Sequence, residues 1–295
     1  VVAFRVTEQS TSAKVLAGLR TSANNVDRLR EQMTTGKQVA KPSDSPTGTV
    51  SAMQLRNDIA ARERYDRSAT DGVARLSTAE AALSTGGDLL NRARDLVLQG
   101  MSQPAVGDPA ARAGIAVEIR GLRDNMISVA NTSYLGRPVF GGTTDKDRAF
   151  LDTGAYQGDT GSVQRRVGDS SQVRVDVSAD VFGTAAGNVF DVLDSIATGL
   201  ETNPATLSSD LNRLDSAKSR FTNELTAVGS RYSQLTAAQD TASTQVLALT
   251  SRLSEIEDID MAKAVIDLQT QSAGYEAALA ATARVVQPSL LDFLR

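Results

Sequence analysis

The sequence predicts a mainly α protein: an elongated helical bundle whose N- and C-terminal helices pair, with a small β-rich insertion. Three observations predict it. Leu207, Leu211, Leu214, Lys218, Phe221, Leu225, Val228, Tyr232, Leu235, Gln239, Ala242, Val246, Leu249, Leu253 and Ile256 fall at alternating steps of four and three. That heptad rhythm runs far beyond the three or four repeats that mark a coiled-coil seam. At the other end Val15, Leu19, Ser22, Val26, Leu29 and Met33 keep the same alternation. Between Tyr134 and Gly187 the heptads vanish, glycines multiply, and Val173, Val175 and Val177 alternate with Arg174 and Asp176, the period of a half-buried strand.

Each element follows from its own signals. The first helix is expected over Glu8 to Thr35, stopped by Gly36 at a left-handed cap position. After a polar loop, Ser45-Pro46, Asp108-Pro109 and Asn203-Pro204 each set a side-chain acceptor at an N-cap and a proline at the first helical position. The second helix then runs from Pro46 to about Ser102, with Leu76, Leu83, Leu90, Ala93 and Val97 on one face and Gly86-Gly87 as a soft spot; Gln103-Pro104 ends it. Pro109 to about Asn131 carries Ile115, Ile119, Leu122, Met126 and Val129 in four-three steps, and the short connection sets it antiparallel to its predecessor. In the insertion, Gly168-Asp169 turns the strand at Val173 back onto Val163 to Val167. A short helix over Val189 to Leu200 precedes the long heptad helix, which from Leu207 to Ile256 is about 75 Å long at 1.5 Å per residue, hence the elongated shape.

A phase shift at Glu257 to Asp260 opens a last stripe, Met261, Val265, Leu268, Ser272, Tyr275, Leu279, Thr282 and Val286, which rotates the apolar face toward a different partner, residues 1–35. The assembly seam is therefore assigned to Val15, Leu19, Val26, Leu29, Met33, Met261, Val265, Leu268, Tyr275, Leu279 and Val286. Ser22, Ser272 and Thr282 weaken it, so the two terminal helices are expected to be marginal in isolation and ordered by assembly. The expected domains are 1–45 with 257–295 (terminal coiled coil), 46–138 with 187–256 (long-helix bundle) and 139–186 (insertion).

Composition removes most chemistry. Across 295 residues, 41% are apolar but only 4% aromatic, with no Trp, a composition suited to slim helix packing rather than a deep ligand pocket. The absence of His and Cys excludes His-dependent nucleophile systems, imidazole or thiolate metal sites and disulfides. A net charge of −4 is the wrong sign for wholesale nucleic-acid binding. No apolar run approaches the roughly 18 residues that span a bilayer, and Val1 to Val6 is too short for the apolar stretch of a signal peptide. No cofactor, metal, nucleic-acid or membrane partner is expected. Glu255, Glu257, Asp258 and Asp260 read as a solvated acidic turn rather than a cation loop, as do Asp145 and Asp147, and Arg165-Arg166 as an exposed strand position. Asn131-Thr132-Ser133 has the form of a glycosylation sequon.

Two motifs carry a family resemblance. Gly36-Lys37 followed by Pro42-Ser43-Asp44-Ser45-Pro46-Thr47-Gly48 resembles the N-terminal loop signature of the bacterial flagellins and their hook-associated relatives, from which Ser45 and Thr47 depart. Ile256-Glu257-Asp258-Ile259-Asp260-Met261-Ala262 is similar to their Ile-Glu-Asp-x-Asp-x-Ala segment. Asn131-Thr132 with Gly136-Arg137 and Phe140-Gly141-Gly142, and the ending Ser289-Leu290-Leu291-Asp292-Phe293-Leu294, resemble the hook–filament junction branch of that family more than filament flagellins.

The resemblance implies a subunit of a tubular extracellular structure, with terminal helices lining an inner tube, exported through the flagellar type III channel without a cleaved signal. It implies as partners further copies of the chain in a ring, a hook-associated protein on the hook side, flagellin on the filament side and an export chaperone. The competing readings are a filament flagellin that self-polymerises, a coiled-coil scaffold with a defined soluble dimer, and, with nothing to place two carboxylates on a pocket, an enzyme using Asp/Glu pairs.

Overall fold

The computed structural model describes residues 8–102, 107–183 and 187–286. Among the described residues six α-helices dominate: α1 (Glu8–Thr35), α2 (Pro46–Gly100), α3 (Pro109–Ala130), α4 (Val189–Thr202), α5 (Leu207–Glu257) and α6 (Met261–Val286). Strands are few and short: β1 (Ser133–Tyr134) pairs antiparallel with β2 (Arg137–Pro138), and β3 (Gln164–Arg166) with β4 (Gln172–Arg174). The chain divides into two compact units, one of residues 1–60 with 246–295, the other of residues 61–245.

In the 61–245 unit, the α5 stripe buries one residue per heptad: Leu207, Leu214, Phe221, Val228, Leu235 and Ala242 are spaced by sevens and all buried. The alternate positions are half-exposed or, at Lys218 and Tyr232, exposed, while Asp210 and Ala217 are buried beside the stripe, so α5 is covered along a narrow face by more than one neighbour. One neighbour is α2, running antiparallel: Gln239 donates to Thr70 (2.8 Å) and Arg94 pairs with Asp215 (3.0 Å). The expected soft spot at Gly86-Gly87 is instead a contact point. A methyl at Gly86 would stand 2.4 Å from Phe221 Cε1, so the missing side chain lets the aromatic ring approach the α2 backbone. Gly86→Ala is expected to lower stability by about 1–3 kcal/mol through overpacking, despite alanine's better helix propensity. Urea unfolding that shows a gain would contradict the close approach.

All three proline-headed starts form. Asp108 accepts from the Ala110 and Ala111 amides at the head of α3. Ser45 Oγ accepts from Gly48 N (3.1 Å). Asn203 accepts from Ala205 N and heads a 3-10 turn (Pro204–Thr206) that leads into α5. α3 buries Ile115, Ile119, Leu122 and Met126 as its spacing predicts, and it runs antiparallel to α4, with Arg112 Nε donating to Leu200 O (2.9 Å) and Arg120 chelating Glu201.

Among the described residues, 139–183 share one core with the helices. Phe140, Phe150, Phe182, Phe190 and Phe221 form one buried ring cluster, with centroids 4.9–6.0 Å apart, and Phe190 and Phe221 belong to α4 and α5. The β3–β4 hairpin turns as expected, with Arg165 opposite Val173, and Val173, Val175 and Val177 are buried. Asp176 departs from the alternation: it is buried, because it accepts from Val163 N (2.8 Å), Ser162 Oγ (3.3 Å) and the Arg174 guanidinium (2.7 Å), which replace the water it loses. Arg165 also departs from its expected exposed position, since its guanidinium pairs with Asp71 of α2 (2.6 Å). Asn131 is committed to backbone on both sides of its amide, donating to Phe150 O and accepting from Phe150 N (both 2.9 Å), which occupies the group a sequon would offer to a glycan.

Candidate functional site

In the unit of residues 1–60 and 246–295, α1 packs against α6, and the order left open by the sequence is antiparallel: Lys37, just after α1, forms an antiparallel bridge with Asp258, just before α6. Val26 is buried, and Val15, Leu19, Leu29 and Met33 are half-buried along α1. On α6 the inner line is Ala264, buried, then Leu268, Ser272, Tyr275, Ala278 and Thr282, half-buried. Met261, Val265 and Leu279 of the predicted seam stay exposed at 49%, 39% and 43%. They stand roughly 40–100° around the helix from their neighbours on the inner line at 3.6 residues per turn, so the apolar face of α6 is wider than α1 covers. Leu16 of α1 is likewise 51% exposed. The Val286 side chain and the Ser289–Leu294 motif lie outside the described residues.

The two family motifs, some 220 residues apart in sequence, close on each other. Gly36 ends α1 at φ +68°, a left-handed position that a β-carbon disfavours. Its carbonyl accepts from Ile259 N (3.1 Å), while Gln38 N donates to Glu257 O (2.6 Å). Lys37 Nζ reaches Asp258 Oδ1 (2.6 Å) and Glu257 Oε2 (3.4 Å), and Arg56 of α2 holds the other oxygen of Glu257 (2.8 Å). Asp44 Oδ2 accepts from Ala40 N (3.1 Å) and Lys41 N (2.8 Å), shaping the loop in which Pro42 and Ser43 are exposed before Ser45 and Pro46 open α2. A methyl at Gly48 would lie 3.7 Å from Ile256 Cγ2, so the start of α2 sits against the end of α5. Asp260 caps α6 by accepting from Lys263 N (3.1 Å). The expected phase shift is therefore a true break between two helices.

The acidic turn is not simply solvated. Glu257 is buried, 3% exposed, because cations from two elements converge on it, whereas Asp258 is exposed. Arg56 carries no motif signal in the sequence, and Ala264, buried on α6, lies off the predicted apolar stripe; both escape its periodicity. Among the described residues no cluster of metal-ligating side chains occurs, and no helix is long and apolar enough to cross a membrane.

The hydrogen bond from Lys37, then that from Ser254, holds the Asp258 carboxyl below its usual range, and the bond to Asp258 holds the Lys37 ammonium above its own. A depressed acid stabilises the fold above its unfolded pKa, about 3.9, and that contribution is lost as pH falls through the lower folded value; a raised ammonium contributes fully below about 10.4 and loses its contribution as pH rises through the higher folded value. The junction is accordingly expected to be tightest between about pH 4 and 10. Amide exchange of Gln38 and Ile259 should speed up relative to the intrinsic rate as pH falls below about 4, more so in high salt. A ratio independent of pH would remove the ion pair from the account.

The comparisons agree with this arrangement. The family profile of the bacterial flagellin N-terminal helical region matches residues 6–145, and that of the C-terminal helical region matches residues 211–294. Flagellar hook-associated protein 3 of Escherichia coli is 25% identical over 87% of this chain and 89% of its own length. The flagellin of Bacillus subtilis is also 25% identical, over 94% of this chain and 95% of its own. The crystal structure of the flagellar junction protein FlgL from Legionella pneumophila superposes with a TM-score of 0.58 at 14% identity, covering 71% of this chain and all of that one, a likeness of fold. With both terminal helical regions matched and their signature loops locked to each other, the chain belongs to the bacterial flagellin family, as a structural component of the flagellum similar to hook-associated protein 3.

Proposed function

We propose that this chain is the hook–filament junction subunit: copies add in a ring, contacting a hook-associated protein on one side and flagellin on the other. The exposed residues Met261, Val265 and Leu279 beside the α1–α6 seam support this reading, because they leave apolar surface that a neighbouring copy would cover. Repeated heterologous contacts of that kind build open tubes when the rotation does not close. The likeness to hook-associated protein 3 over nearly the full length of both chains supports the junction role. The similar match to a filament flagellin supports the second reading, unlimited self-polymerisation. Export through the flagellar type III channel, assisted by a chaperone, belongs to the same proposal, and a chain without disulfides is suited to passage in an unfolded form. Cells lacking the gene are expected to carry hooks without filaments and to shed flagellin into the medium. Purified protein that grows alone into micrometre-long filaments would establish the flagellin reading instead.

A further inference from the structure

Arg75 of α2 is a buried cation, 5% exposed, that makes no ion pair among the described residues. Its Nε is buried without an acceptor, and its one hydrogen bond, from Nη2 to Pro138 O of β2, is long (3.5 Å). A guanidinium carries five donors, and leaving them unmet away from water costs folding free energy. Burial accordingly pushes Arg75 below its ordinary pKa, against the pull of Asp176 and Asp71.

Both of those carboxylates are held by other residues. Asp176 is buried, and its oxygens are filled by Arg174, Ser162 and the Val163 amide. Asp71 is half-exposed, with one bond on each oxygen: the Tyr134 hydroxyl donates to Oδ1 (3.0 Å) and Arg165 Nε to Oδ2 (2.6 Å). Arg165 is half-exposed too, so water can replace it at little cost. Asp71 also stands four residues before Arg75 on α2, the spacing and order that bring an acid and a base together on a helix. One accessible carboxylate thus has two cations within reach and seats only the less buried of them.

We propose that Asp71 is an exchange point: Arg165 holds it in the state seen here, and Arg75 takes it in a second state, in which Arg165 turns to solvent and Pro138 O gives up its guanidinium. Polar ties of β1 (Tyr134), β2 (Pro138) and β3 (Arg165) to α2 all meet at this pair, so the exchange loosens both hairpins together while the phenylalanine cluster stays packed. The device goes beyond the junction reading and does not depend on it.

R165Q vacates Asp71 by altering a half-exposed side chain. Its crystal structure is expected to show the Arg75 guanidinium on Asp71 at about 3 Å and off Pro138 O; Arg75 still on Pro138 O overturns the proposal. R75M, in the full chain, removes the competing cation and keeps an apolar stem. The Val139 and Val175 amides, which donate to Thr132 O and Val163 O, are then expected to exchange about 10-fold more slowly relative to amides of α3 and α4. An unchanged ratio, or faster exchange at the hairpins, overturns the proposal by making Arg75 a fixed tie. The R165Q structure decides the question by itself if R75M does not fold.

Discussion

Phe182→Ala is expected to lower the unfolding free energy by about 4–5 kcal/mol, the upper end of the range for truncating a buried phenylalanine. Phe182 is fully buried and is the hub of the ring cluster, edge-on to Phe140 (4.9 Å), Phe150 (5.5 Å) and Phe221 (5.1 Å) and stacked with Phe190 (6.0 Å). Its loss removes burial, leaves a cavity bounded by three separate segments of chain, and ends four ring contacts, each worth about 0.5–1.5 kcal/mol beyond area. Phe182→Leu, which refills much of the space, should recover a large part of the loss. Urea unfolding of Phe182→Ala within 2 kcal/mol of the parent would mean that the insertion and the helices are not one cooperative core.

The second large effect belongs to the terminal junction. Replacing Lys37 and Arg56 together by alanine leaves the buried Glu257 carboxylate with neither cation. Stripping a buried ion of its partners costs about 3–5 kcal/mol where the whole group is shielded. Here the Lys37 and Arg56 side chains are 42% and 60% exposed, so water screens both pairs and the expected loss is about 2 kcal/mol. Amide exchange in α1 and α6 should then accelerate about 30-fold, with the Phe182 core unaffected. Adding Glu257→Gln to the same chain removes the orphaned charge and should restore most of the protection. Unchanged exchange in α1 and α6 would show that the apolar seam alone holds the terminal pair.

Much of the architecture is legible before any coordinates. Heptad spacing on α5 marks Leu207, Leu214, Phe221, Val228 and Leu235 because a seven-residue step returns a side chain to nearly the same helix face. Ser45, Asp108 and Asn203 before proline mark three starts because the cap and the preset φ act within one turn. The residues that escape pattern are those whose role depends on a distant partner. Gly86 reads as a weak point until Phe221 stands against it; Arg165 and Asp176 read as outward-facing until Asp71 and the Val163 amide are placed beside them; Glu257 reads as solvated until Lys37 and Arg56 converge. Of the expected seam on α6, Leu268 and Tyr275 face α1 while Met261, Val265 and Leu279 do not, because a four-three stripe marks an apolar face without saying how much of it one neighbour can cover.

By itself, the sequence determined that this protein is helical, that its ends carry matching apolar stripes, and that thiol and imidazole chemistry is closed to it. These follow from local periodicity, capping and composition, which act over one or two turns of chain. Only the tertiary structure decided the antiparallel sense of the terminal pair, the burial of Glu257 between two cations, and the fusion of the 139–186 segment with the helical core. Those depend on contacts between residues about 40 to more than 200 positions apart, where burial and charge are set by what arrives from elsewhere in the chain.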